Sequence, residues 1–219
     1  MKNVIISWSS GKDSTLTLQR LLADQHYNVV GLFTTYVEDA VPFQATPIDV
    51  VKAQASAIGL PLVLIPLNET FPSNEVYQTT IVTALKESGL AIDAVAFGDM
   101  YCNGIAEYRK SYIEPQGWEC VLPLLGACTI KLANEIIQSG IETTITTVDT
   151  TQLTAEYCGL AYNKQLIATL PNGVDPCGED GEFHTLVTNS PAFKRPLQIQ
   201  LSHQENDGRF QYQRYKYIA

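Results

Sequence analysis

Residues 7–22, SWSSGKDSTLTLQRLL, begin inside a short apolar run, VIISW (4–8), and the reading of this junction decides the fold. A strand that ends in a Ser- and Gly-rich turn and enters a helix directly has the makings of a phosphate loop. N–H groups at the helix start point outward, the helix dipole adds partial positive charge, and Gly11 admits a close approach. Ser9, Ser10 and Ser14 supply hydroxyls, and Lys12 supplies a point charge. The mononucleotide pattern G-x-x-x-x-G-K-S/T is absent, because Ile6 stands where its first glycine should be and Asp13 where its metal-binding hydroxyl should be. Phosphoryl transfer of the usual NTPase kind is therefore not what this turn predicts. On local chemistry alone, an ordinary capped helix start stays open beside the phosphate loop.

Outward from this turn the first half alternates. Helix-length segments carry Leu18, Leu21 and Leu22 on one face, then IDVVKAQASAI closed by Gly59. A further helix is predicted from Ser73 as N-cap, with Glu75 in its first turn, Tyr77, Ile81, Ala84 and Leu85 inward, and a stop at Gly89. Between them lie the apolar runs NVVGLFTTYV, LPLVLIPL and AIDAVAFG. Continuous Val/Ile/Leu runs between amphipathic helices predict a parallel sheet covered on both faces, a doubly wound α/β architecture. Ligands in such sheets bind beyond the carboxyl ends of the strands, where both SSGKDS and GDMYCNG fall. Past Pro123 a helix through Ile130, Ala133 and Ile137, closed by Gly140, and a strand ETTITTVD are expected. After these come an acidic Gly-rich loop GVDPCGEDGEFHT and two strands around Asn206-Asp207-Gly208. The expected division is an α/β domain over 1–125 and a smaller α+β domain over 126–219.

The 219 residues suffice for one large core or one core with a satellite, and the 45% hydrophobic and 17% charged content suits a globular chain. No apolar run approaches the roughly 18 residues of a membrane span, and MKNVIISWSSGKDS lacks the pattern of a signal peptide, so a cytoplasmic location is expected. Five cysteines with no C-x-x-C spacing support neither a disulfide framework nor a zinc ribbon. A net charge of -9 opposes long-range approach to nucleic acid and favours a small molecule or a protein as substrate.

The turn resembles the PP-loop, S-G-G-x-D-S, of the N-type ATP pyrophosphatases, with Ser10 in place of the first glycine. That exchange predicts a negative φ at position 10, since serine meets steric cost at positive φ. FGDMYCNGIAEYRKSYIEPQGWECVLPLLG (97–126) resembles the G-D-I…Y-x-R…PLWG block of the diphthine–ammonia ligase family, and CGEDGEFHTLV (177–187) resembles its G-E-x-G-E-F/Y signature. The three segments occur in the family's order. The resemblance implies an adenine-nucleotide alpha hydrolase-like, Rossmann-like N-terminal half and a C-terminal half that bears the acidic substrate motif.

The resemblance also implies a reaction. A carboxylate attacks the α-phosphorus of ATP, pyrophosphate leaves, and ammonia displaces AMP from the acyl-adenylate to form an amide. On this reading Ser9, Ser10, Gly11, Lys12, Asp13 and Ser14 hold ATP, Gly98 and Asp99 reach the ribose or the metal, and Mg²⁺ bridges phosphate oxygens. Asp13 either orders the metal's waters or braces the loop. Lys12, Asp13 and Arg109 are the catalytic candidates, with Arg109 offering its bidentate fork to phosphate or carboxylate. Tyr108, Glu179, Glu182, Phe183 and His184 are the substrate-binding candidates, with Phe183 available for a cation–π contact.

His184 stands where the eukaryotic and archaeal motif continues E-F-E-T, whereas bacterial relatives read E-F-H-T. It is predicted to alter substrate choice away from diphthine. The acid is then a small molecule or a modified protein side chain. No glutaminase segment is evident, so the nitrogen donor is free ammonia or a partner's glutaminase; a homo-oligomer is compatible with all of this. Two alternatives stand beside the ligase: a PP-loop tRNA-modifying enzyme, for which the basic surface and paired cysteines are missing, and a non-catalytic adenine-nucleotide-binding protein, which would not need the acidic motif.

Overall fold

The computed structural model describes residues 1–218. Its strands are β1 (Lys2–Ser7), β2 (Tyr27–Tyr36), β3 (Ala40–Val41), β4 (Thr46–Pro47), β5 (Leu62–Pro66), β6 (Ala94–Ala96), β7 (Glu119–Val121), β8 (Glu142–Asp149), β9 (Phe183–Asn189), β10 (Ile199–Asn206) and β11 (Phe210–Tyr217). Its helices are α1 (Lys12–Ala23), α2 (Ile48–Ile58), α3 (Asn74–Glu87), α4 (Ile105–Ile113), α5 (Thr129–Gln138) and α6 (Lys164–Thr169). Among the described residues no helix is long and apolar enough to cross a membrane.

The first sheet has the order β5-β2-β1-β6-β7, and every pairing in it is parallel. This is the doubly wound α/β arrangement that the alternating runs predict. The strand order reverses between β1 and β6, so the loops that leave those strands diverge and open a crevice at the carboxyl edge. One face of the sheet buries Val4, Ile6, Leu16, Leu18 and Leu32, and the other buries Ile5, Phe33, Ile65, Ile81 and Phe97. Consecutive β1 residues point to opposite faces, which is why Val4, Ile5 and Ile6 are apolar without interruption.

A second, antiparallel sheet runs β10-β11-β8-β9. ETTITTVD forms β8 over the expected residues but pairs with β9 and β11 in this second sheet. The tail strands form the expected hairpin around 206–208, with Gly208 at φ +103°. The two sheets share one apolar cluster, in which Leu16 and Leu18 of α1 belong with Leu186 and Val187 of β9. Helix α1 is accordingly buried almost all round from Ser14 to Leu18, between β2 and β9, whereas its last turn emerges: Leu22, expected inward, is 56% exposed.

Two other faces differ in detail from the periodicity. On α5 the inward residues are Leu132, Ala133 and Ile136, and Ile130 in the first turn is exposed. On α3 only Ile81 and Leu85 are fully buried, Tyr77 and Ala84 being half-buried. The expected cap is present, since Ser73 Oγ accepts from Val76 N at 3.3 Å, and Gly89 adopts the left-handed conformation that ends the segment.

Candidate functional site

The loop after β1 is held from three sides. Gln54, at 0% exposure on the apolar face of α2, donates to the carbonyls of Ser10 (3.1 Å) and Val187 (2.7 Å) and accepts from Trp8 Nε1 (2.8 Å). Val187 N donates to Ser10 O at 3.0 Å, and Lys12 N donates to Thr185 Oγ1 at 3.2 Å. Strand β9 therefore clasps the turn directly. A Cβ on Gly11 would lie 3.1 Å from Thr185 O and 3.2 Å from Gln44 Nε2, so only glycine lets the β9 strand and the β3–β4 hairpin come this close.

Ser10 corrects one expectation. Its φ is +71°, not negative, and the residue is fully buried. The left-handed geometry that a glycine would adopt freely is forced on a serine, whose hydroxyl donates to Thr46 Oγ1 at 2.9 Å and lies 3.4 Å from Gln44 Oε1. Those contacts, with the two bonds to its carbonyl, over-determine the conformation and outweigh its steric cost.

Helix α1 begins at Lys12 with Gly11 as its N-cap, and its N-cap residue offers no side-chain bond to the first-turn N–H groups. Ser9 Oγ donates to Ser14 Oγ (3.2 Å), and Ser14 Oγ in turn donates to Gly11 O (3.1 Å), placing two hydroxyls at the helix start. Lys12 is 2% exposed. Its Nζ lies 2.9 Å from Asp13 Oδ2 and over the rings of Phe183 (5.5 Å) and Tyr162 (5.9 Å). Burial works against its charge, but Asp13, with Cys177 and Glu179, outweighs burial and holds the lysine above its ordinary value. The Asp13 carboxyl is pushed up by burial against the opposing pull of Lys12.

Asp13 Oδ1 is buried without a hydrogen-bond partner. An orphaned carboxylate oxygen is a hard donor of the kind Mg²⁺ takes, and that ion commonly uses one or two carboxylates together with substrate phosphates. Among the described residues no group of three or more His, Cys, Asp or Glu side chains could hold a metal. The Asp13 carboxylate thus fits a magnesium ion.

The acidic loop faces the same place. Burial and Asp13, then Asp175 and Asp99, push the Glu179 carboxyl up to about 7, opposed by Lys12. Asp99 follows three residues after the end of β6, and nearby Tyr101 OH reaches Asp180 Oδ2 of the acidic loop at 3.4 Å. Glu182 lies deeper, at 2% exposure. Its two oxygens accept from Asp175 N (2.7 Å) and Asp180 N (3.0 Å), so it braces the loop from within. Phe183 is 1% exposed, and the cation above its ring is the protein's own Lys12. His184 is driven down to about 4 by burial and by Lys12 and is neutral near pH 7.

Besides Glu182 and Phe183, two expected residues are engaged elsewhere, and a third lies against the loop itself. Arg109 gives its fork to Asp99 (Nε–Oδ2 2.9 Å, Nη2–Oδ1 3.3 Å), stacks 4.3 Å from the centroid of Phe97 and donates to Tyr112 OH at 3.1 Å. Its fork is taken up in orienting Asp99. Tyr108 packs on Tyr112 (5.5 Å) in the cluster on the opposite sheet face, away from the loop. Gly98 lies against α1, where a Cβ would meet Asp13 C and Thr17 Oγ1 at 3.2 Å, so its place is set by packing.

Sequence reasoning missed Gln44, Thr46, Gln54, Tyr162 and Thr185. Of these only Gln54 leaves a signal, a lone amide on the buried stripe Val50, Val51, Ala55. The others come from segments far apart in the chain and meet only on folding.

Comparison with known proteins places this geometry in context. Residues 1–119 match the family model of the diphthamide synthase N-terminal domain, and residues 128–218 match that of the diphthamide synthase C-terminal domain. A diphthine–ammonia ligase of Schizosaccharomyces pombe is 26% identical over 214 residues, 86% of this chain. The chain spans about a third (34%) of that relative's length. Among solved structures, a predicted subunit of tRNA methyltransferase from Methanocaldococcus jannaschii aligns over 65% of this chain and 77% of its own, at 18% identity and a TM-score of 0.46. The U34-tRNA thiolase NcsA of Methanococcus maripaludis, with its iron–sulfur cluster, aligns over 63% and 56%, at 16% identity and a TM-score of 0.41.

Proposed function

The chain belongs to the diphthamide synthase family, and on that premise we propose that it is an ATP-dependent ligase that adenylates a carboxylate and transfers ammonia to it. The observation that carries this reading is the clasp between the two halves of the site. The uncapped start of α1 meets the acidic loop through Lys12, which touches Asp13 and senses Glu179. A nucleotide held by the first half thus presents its phosphates to whatever the second half holds. Residues 1–125 serve the nucleotide and residues 126–219 the acid.

In the first step a carboxylate oxygen bonds to the α-phosphorus, and the bond from that phosphorus to the bridging oxygen breaks. The departing pyrophosphate takes up the electron pair. Ser9, Ser14 and the first-turn N–H groups of α1 hold its oxygens, and Lys12 answers the negative charge between the nucleotide and the incoming acid. Asp13 would hold a magnesium ion, which would neutralise phosphate charge there. In the second step the ammonia nitrogen bonds to the acyl carbon and AMP leaves with the bonding pair. Glu179, whose carboxyl titrates at about 7, is suited to take the surplus proton from nitrogen. Most of the rate comes from positioning and preorganised charge, in keeping with a site of hydroxyls, amides and one buried lysine.

The test is product analysis with ATP labelled at the α and γ positions, ammonium, magnesium and a panel of carboxylic acids. AMP and pyrophosphate, formed only when an acid is present, are expected. Formation of ADP and orthophosphate, or turnover indifferent to added acid, refutes the reading.

A further inference from the structure

Tyr162 is buried between the two halves of the site, although none of the steps above uses it. Its backbone is fixed along β8. Residues 159–161 pair with Ile145 and Thr144, and Tyr162 N donates to Thr143 O at 2.8 Å. The next residue, Asn163, caps α6 by accepting from Leu166 N at 3.0 Å. From this base the side chain makes two kinds of contact. Its ring lies 5.9 Å from Lys12 Nζ and 6.2 Å from the ring of Phe183, which is itself 5.5 Å from the same nitrogen. Its hydroxyl donates to Pro176 O at 2.6 Å, at the head of the acidic loop.

Direction, more than charge, is what the Lys12 ammonium takes from these rings. Asp13 Oδ2, 2.9 Å away, already answers its charge, but that pair lies within the first turn of α1 and ties the lysine to nothing beyond the helix. The rings lie across the site and fix where the flexible four-carbon stem points. Phe183 has no polar side-chain atom, so of the two rings only that of Tyr162 also bonds the loop. Pro176 stands between Asp175 and Cys177, and Asp175 Oδ1 accepts from Cys177 N (2.7 Å) and Glu179 N (3.4 Å). Holding Pro176 therefore holds the segment that carries Glu179. We propose that Tyr162 is a positioning residue, whose ring directs the Lys12 ammonium and whose hydroxyl sets the acidic loop against it. The proposal rests on the ligase reading, in which Lys12 meets the nucleotide, and adds the residue that registers the nucleotide half against the acid half.

Two variants of the full chain separate the ring from the hydroxyl. Tyr162→Phe keeps the ring and deletes the bond to Pro176, whereas Tyr162→Leu deletes both. In protein isotope-labelled at the lysine ε-carbons, ring currents set the Lys12 methylene signal apart from those of the other lysines. Tyr162→Leu returns it towards theirs, and Tyr162→Phe leaves it in place. Calorimetry with α,β-methylene-ATP and magnesium follows the same order, about three- to tenfold weaker for the leucine variant and within about twofold of wild type for the phenylalanine variant. The loop reports the hydroxyl. Cys177 is 1% exposed and its Sγ donates to Thr129 O, so its modification by a maleimide, located by mass spectrometry, measures loop opening. Tyr162→Phe speeds that modification about three- to tenfold. Wild-type labelling of Cys177 in Tyr162→Phe overturns the proposal, whether or not the leucine variant folds. So does a Lys12 signal or nucleotide affinity unchanged in Tyr162→Leu, or affinity lost as fully in Tyr162→Phe, which a generally loosened core would produce. The spectral and labelling measurements need no nucleotide, so failure of the ligase reading shows separately, as ADP and orthophosphate in the product assay.

Discussion

Replacing Ser10 by alanine and by glycine separates two opposing contributions at the turn after β1. Both changes delete the 2.9 Å bond to Thr46 Oγ1, and Thr46 is fully buried, so its hydroxyl is left without that partner. Loss of such a bond costs about 1–3 kcal/mol. Alanine keeps the φ of +71° and with it the steric cost of a left-handed L residue, about 1–2 kcal/mol, which glycine does not bear. Ser10→Ala should therefore destabilise by about 2 kcal/mol, and Ser10→Gly by about 1 kcal/mol or less. For a chain of this length the alanine variant should melt about 4–8 °C below wild type, with the glycine variant between the two. Urea midpoints and calorimetric melting, read on the same preparations, measure the order. Equal stabilities, or glycine below alanine, would refute a left-handed Ser10 and with it the account of how β3–β4 is fastened to the loop.

Three further outcomes follow from the same geometry. The folded Glu179 carboxyl keeps its proton up to about pH 7 while the unfolded chain releases it near 4.5, so stability should fall as pH rises through that window. Solvent screening reduces the effect to about 1–2 kcal/mol; Glu179→Gln should flatten the profile of melting temperature against pH, and an unchanged slope counts against the raised carboxyl. Arg109→Lys removes the fork to Asp99 and the stack on Phe97 and should cost about 1–2 kcal/mol by denaturant titration with little change in ATP affinity. Loss of affinity without loss of stability would return the guanidinium to the phosphates. Gly11→Ala is allowed by its φ of −93° but drives a Cβ against Thr185 O, and it should destabilise by about 1–3 kcal/mol and weaken ATP in calorimetry. Wild-type affinity in that variant would mean β9 does not clasp the loop.

The architecture was legible because its signals are local. Apolar runs with no polar alternation required strands covered on both faces, and Ser73, Gly59 and Gly89 marked helix ends through their own backbone chemistry. The loops at 9–14, 97–104 and 175–185 were likewise found in sequence, since hydroxyls, glycines and carboxylates at those spacings are scarce in element interiors. Periodicity misplaced Leu22 and Ile130, because it defines a stripe but not where along a helix the covering layer stops.

Sequence by itself thus determined the doubly wound sheet, the Ser- and Gly-rich turn after its first strand and the acidic segment that faces it. Only the tertiary structure decided what each side chain is free to do. Arg109 is taken up by Asp99, Phe183 by Lys12 and Glu182 by its own loop, while Ser10 is held in a glycine's conformation by Thr46 and Gln54. The physical reason is that a residue type states which bonds it can form, whereas burial and the competition among partners distant in the chain select the bonds it does form.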